Sequence, residues 1–216
     1  MIKASPLRHR YLAKLLANSV GAVLFLATLG LVPRVLGPTA FGRYEYLTNF
    51  FQQIVNLVDS GTSSYFYTSL SQRPKDLRLL VFYVAYTLAF VIVLGLTILF
   101  LPASIRAWLW PDESVGLIFL AFFLGFSAWW LRISKQIADA YALTVNGEKI
   151  NVAHRTVAVA VLVLLVSVGV VDLVIYYWFM IAMACLGVGL YVWFVAGAKV
   201  FPTLATRSDL PSRGVA

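Results

Sequence analysis

Charge is scarce in this chain. Only 12% of its 216 residues are Asp, Glu, Lys or Arg, while 61% are hydrophobic. The mean hydropathy is +0.86. A soluble domain of this length cannot bury that much apolar surface, which excludes a water-exposed globular fold and leaves lipid as the solvent. Cysteine is scarcer still: Cys185 stands alone inside an apolar run, so no intramolecular disulfide forms. The two histidines, His9 and His154, have no carboxylate or thiol spaced to complete a metal site or a catalytic dyad. Both read as surface side chains. A P-loop, a Gly-rich dinucleotide fingerprint and a potassium-type selectivity filter are also missing. No catalytic residue, metal or cofactor is expected, and transport is a better expectation than enzyme chemistry.

Long apolar runs fill the chain instead. They cover about 12–32, 44–71, 77–101, 115–141, 152–171 and 173–196, separated by charges and prolines. Each reaches the ~20 residues a helix needs to cross a hydrocarbon core. Short alternating strands, the mark of a membrane barrel, are not seen. The first run follows Lys3, Arg8, Arg10 and Lys14 as a signal peptide would, yet it is too long for one and no small-residue cleavage site follows. The pattern predicts an all-α integral membrane bundle of six transmembrane helices over 1–198, with 199–216 as a cytoplasmic tail or linker. Gly30, Gly37 and Gly42 read as turn or close-packing glycines.

A formal charge of +8 would suggest a nucleic-acid partner in a soluble protein. Here the bases sit between apolar runs and report orientation instead. The segments 1–14, 73–78, 132–155 and 199–213 hold 4, 3, 4 and 3 Lys or Arg, which is 14 of the 17. Arg34, Arg43 and Arg106 lie in the alternate segments, offset there by Glu45, Asp112 and Glu113. The asymmetry places both ends in the cytoplasm. Asp172 then marks a tight outer turn, and Trp108 and Trp110 fit the outer aromatic belt.

Two polar clusters interrupt the apolar runs. Glu45, Asn49, Gln52, Asn56, Asp59 and Ser63 follow one another at steps of 4, 3, 4, 3 and 4, the spacing of one helical face. This stripe lines a water-filled cavity or joins helices through amide hydrogen bonds, and its length and two acids favour the cavity. Arg132, Lys135, Gln136 and Asp139 fall at i, i+3, i+4 and i+7 in the fourth run. Two cations and a counter-ion on one face suit phosphate binding, or else snorkel to the anionic leaflet. Arg34 beside Pro33 fits an interfacial anchor as well as a ligand contact, and Asn18 is a weaker candidate of the same kind.

The run Val32-Pro33-Arg34-Val35-Leu36-Gly37-Pro38-Thr39-Ala40-Phe41-Gly42-Arg43-Tyr44 resembles the R-x-LGP-x-x-FG-x-Y junction of the Wzx-type polysaccharide flippases, in the multidrug/oligosaccharidyl-lipid/polysaccharide exporter superfamily. Asp59-Ser60-Gly61 and the stretch ALTVNGEKIN at 142–151 add to the likeness, which runs from about Lys14 to Lys199. The resemblance implies a bacterial inner-membrane protein that moves undecaprenyl-pyrophosphate-linked oligosaccharide to the outer leaflet by alternating access, for surface polysaccharide such as O-antigen. It implies a cationic central cavity, with Arg34, Gln52, Asn56, Asp59, Arg132, Lys135 and Asp139 as lining candidates.

Members of that family have two lobes of six or seven helices, and this chain supplies one. A second lobe, from another copy or a separate chain, is the expected partner, beside membrane lipids and a polysaccharide polymerase or glycosyltransferases. Two alternatives stay open. One is a cation-coupled small-solute or multidrug exporter in which Asp59 binds the coupling ion. The other is a non-transporting scaffold or truncated fragment.

Overall fold

The computed structural model describes residues 7–73 and 77–198. The expected tail at 199–216 lies outside them, as do residues 74–76 between the second and third apolar runs. Eight helices follow one another, and no strand occurs among the described residues: α1 (Leu7–Leu36), α2 (Pro38–Asp59), α3 (Thr62–Gln72), α4 (Leu77–Phe100), α5 (Ala103–Leu109), α6 (Val115–Ala140), α7 (Thr144–Val168) and α8 (Leu173–Gly197).

Five helical segments are long and apolar enough to cross a membrane: Tyr11–Leu36, Arg78–Phe100, Val115–Ala140, Thr144–Val168 and Leu173–Gly197. The chain is thus a multi-pass helical membrane protein. The sixth expected span, 44–71, is not among them, because it is neither continuous nor apolar enough. It splits into α2 and α3 at Ser60 (φ 25°) and Gly61 (φ 94°). A left-handed backbone ends the i to i−4 ladder, and glycine adopts it without a Cβ clash. The freed groups find partners nearby. Tyr86 of α4 donates its hydroxyl to Val58 O at 3.1 Å, and Thr62 Oγ1 donates to Asp59 O at 2.7 Å. A broken helix at membrane depth persists only with such replacements.

Packing runs in a ring: α1 against α2, α2 against α6, α6 against α8, α8 against α7, and α7 back against α1. Helix α6 is the hub, touching α2, α3, α4, α7 and α8. Its first turns and the N-terminal halves of α2 and α8 form the main core, where Leu47, Ile118, Ala121 and Tyr177 are fully buried. Lipid is as apolar as these side chains, so close dispersion contact holds the helices together rather than escape from water. Aromatic rings contribute much of it: Phe51 stacks on Trp110 at 5.8 Å, and Tyr44 meets Tyr176 edge-on at 4.8 Å.

Three further expectations need correction. Trp108 is exposed as an interfacial residue should be, but Trp110 is buried, because the short helix α5 folds it back onto Phe50 and Phe51. Helix α7 begins at Thr144, not near 152, so Lys149 belongs to that helix and not to the segment before it. His154 is half-buried there, its Nε2 2.8 Å from Met183 O on α8, which makes it a helix–helix contact and not a surface residue. Of the three glycines named above, only Gly37 makes a turn (φ 78°), whereas Gly30 and Gly42 sit in helices with open space where a Cβ would go.

Other expectations agree closely with the structure. The turn at Asp172 is tight, and its carboxylate caps α8 by accepting from Ile175 N at 2.7 Å. At the same end of the bundle, Arg43 makes a bidentate pair with Glu113 at 2.7 and 2.8 Å.

Candidate functional site

The seven residues expected to line one cavity occupy four places. Gln52, Asn56, Asp59 and Arg132 come together where α2 meets α6. Gln52, Asn56 and Arg132, with Val55, Gly125, Ala128 and Trp129, border a hollow of about 160 Å³. Arg132 reaches Asn56 Oδ1 at 3.4 Å and Asp59 Oδ2 at 3.5 Å. Gly125 allows the approach, since a Cβ there would lie 3.2 Å from the Cβ of Phe51.

Asp59 is more committed than a free intramembrane acid. Its carboxylate accepts from Ser63 N at 3.0 Å, Ser63 Oγ at 2.7 Å and Thr62 Oγ1 at 3.0 Å, besides facing Arg132. Three of those donors belong to the first turn of α3, so the side chain caps that helix across the break. The expected polar stripe is therefore divided by function. Asn49, Gln52 and Asn56 are exposed along α2, whereas Asp59 and Ser63 are buried at its end.

Lys135 and Asp139 point elsewhere. The expected grouping of two cations with Asp139 as their counter-ion does not form, because three other elements surround the C-terminal end of α6 and long side chains fan out to meet them. Lys135 pairs with Glu148 of α7 at 3.1 Å, and Asp139 pairs with Lys14 of α1 at 3.0 Å. Glu148 is almost fully buried and also accepts from Asn151 Nδ2 at 3.2 Å. Three cations are thus matched by three acids, and this end of α6 is a set of ties to α1, α2 and α7 rather than an open cationic cradle. Arg34 is exposed at the other end of α1, with no side-chain partner among the described residues.

Glu148, Asn151 and Lys14 are members of this network that the sequence reading passed over. The signal was present: Glu148, Asn151 and Arg155 stand at i, i+3 and i+7, a polar helical face hidden by starting the fifth run at 152. Among the described residues no group of His, Cys, Asp and Glu could hold a metal ion.

A groove of about 480 Å³ runs between α6 and α8, lined by Phe126, Trp130, Trp178 and Cys185. It is almost wholly apolar and opens outward, as a lipid-facing seam does. A cavity of about 530 Å³ lies inside the ring among α1, α2, α7 and α8. Comparison with protein-family models, with characterised proteins and with solved structures finds no match to this chain.

Proposed function

We propose that this chain is a transport lobe of a bacterial inner-membrane flippase, moving a lipid-linked oligosaccharide from the cytoplasmic to the outer leaflet. The observation that carries the reading is the exposed face made by Gln52, Asn56 and Arg132, with Asn49 one turn away. Amides and a guanidinium facing lipid are costly, so such a face belongs against water or a partner. A sugar is recognised by amide donors and acceptors, and a pyrophosphate by arginine. The resemblance of the Arg34 to Tyr44 junction to Wzx-type flippases supports the same reading. A second lobe, from another copy or a separate chain, would close the path, while the polyprenyl tail stays in lipid. Polysaccharide polymerase and glycosyltransferases are the fitting neighbours.

Arg132→Ala is expected to lower export of surface polysaccharide about tenfold, the weight of one charge-assisted contact, in a strain dependent on this gene. Gln52→Ala and Asn56→Ala should give smaller losses. Wild-type export from all three variants, at equal protein level, removes the face from the path and the reading with it.

In this reading α2 and α3 together make the second of six crossings, with both ends cytoplasmic. In a Cys185→Ser background, Asp112→Cys should be labelled by an impermeant maleimide from outside intact cells. Asn146→Cys should react only after permeabilisation. The reverse pattern overturns the orientation.

A further inference from the structure

Four cations in or beside the membrane-crossing helices are paired: Lys14, Arg43, Arg132 and Lys135 each hold an acid. Arg155, exposed on α7, is not among them. It stands eleven residues into α7, about 16 Å along the axis, and has no hydrogen bond or ion pair among the described residues. Its guanidinium lies on Gly21 of α1, where any Cβ would collide with Nη1, so the missing side chain makes room for the group between the two helices. One turn away on the same α1 face stands Asn18, whose amide also has no partner. Both border the cavity of about 530 Å³ inside the ring. The remaining wall is mainly apolar, with Phe25, Leu29, Leu162 and Phe179 among its members.

An unpaired guanidinium this deep in a membrane helix is costly without an anion, and the cavity supplies the space for one with an apolar body attached. Glu45, the acid on the same wall, already accepts from Asn49 Nδ2 at 3.1 Å. We infer that this cavity binds an amphipathic organic anion, a phosphate or carboxylate on a hydrocarbon body, with its charged group on Arg155 and Asn18. The site is separate from the α2–α6 face and stands whether or not that face carries a sugar. Its ligand is a membrane lipid or a soluble amphiphile, and both share this chemistry.

The test uses the full chain in phosphatidylcholine nanodiscs and calorimetric titration with hexyl phosphate, inorganic phosphate and hexanol. Hexyl phosphate should bind saturably at one site, and the other two should bind much more weakly. Arg155→Gln should weaken hexyl phosphate about tenfold. Ala22→Phe, which puts a ring into the cavity from an exposed wall position and leaves Arg155 intact, should abolish binding even if the Arg155 variant fails to fold. In nanodiscs containing phosphatidic acid, lost hexyl phosphate binding identifies a lipid as the occupant, and retained binding identifies a soluble one. Equal affinity in Ala22→Phe and wild type, or equal affinity for hexanol and hexyl phosphate, overturns the inference. Neither result bears on polysaccharide export by the Gln52–Asn56–Arg132 face.

Discussion

Glu148→Ala is expected to destabilise the bundle by about 3–5 kcal/mol, the cost of stranding one member of a buried ion pair. The loss is large because two groups are left behind. Lys135, 3.1 Å from the carboxylate, would keep its charge between α6 and α7 without a counter-ion, and the buried Asn151 amide would lose its acceptor. Removing the cation as well should recover most of that loss. The double variant Glu148→Leu with Lys135→Met exchanges the pair for apolar groups of similar length, and such exchanges are often neutral. Unfolding in mixed micelles by SDS titration measures all three proteins. If the double variant is as unstable as Glu148→Ala, the stranded charge is not the cause.

The second expected result concerns the helix break. Asp59→Ala should cost about 2–3 kcal/mol, combining a lost helix cap with lost hydrogen bonds to a charged acceptor. Arg132→Ala should cost less than about 1 kcal/mol, because that side chain is 46% exposed and exposed pairs are weak. Asp59→Asn should fall between, since an amide oxygen still accepts from Ser63 N while the charge is gone. The same titration reads this series. A cost for Arg132→Ala equal to that for Asp59→Ala would mean that the ion pair, and not the cap, holds α2 to α3. The contrast also separates stability from transport: Arg132→Ala leaves the protein folded, so its export measures the polar face itself.

How much of this could be read from the sequence depends on which signal each element sends. The apolar runs at 77–101, 115–141 and 173–196 match α4, α6 and α8 to within a residue, because hydropathy and charge agree at both ends. The α2–α3 region misled because the 4, 3, 4, 3, 4 spacing continues through Asp59 to Ser63 as if one helix carried it. A Gly inside a periodic segment is compatible with helix, and the break rests on the Asp59 cap and the Tyr86 hydroxyl, neither of which spacing reveals. Helix α7 misled for the opposite reason. Lys149 looks like a loop base when counted by side, yet it lies on the same helix as the buried Glu148.

The candidate site shows the same division. Helical spacing correctly put Gln52 and Asn56 on one face, and Arg132 across from them follows from α2 packing on α6. Spacing within α6 could not say which neighbours Lys135 and Asp139 meet, since that is set by where α1 and α7 arrive. Arg155 and Gly21 are far apart in sequence and mark a cavity only once two helices lie side by side.

Helix α4 is the most apolar of the membrane-crossing helices and leans chiefly on α3 and α6. The ring of α1, α2, α6, α8 and α7 closes without it. Assembly therefore has a natural order: α4 can insert as an independent helix and dock last, once Tyr86 finds the open carbonyl of Val58. Its tilt then follows the thickness of the surrounding bilayer more than the shape of its neighbours, so a thinner or thicker membrane would be felt first at the α2–α3 break.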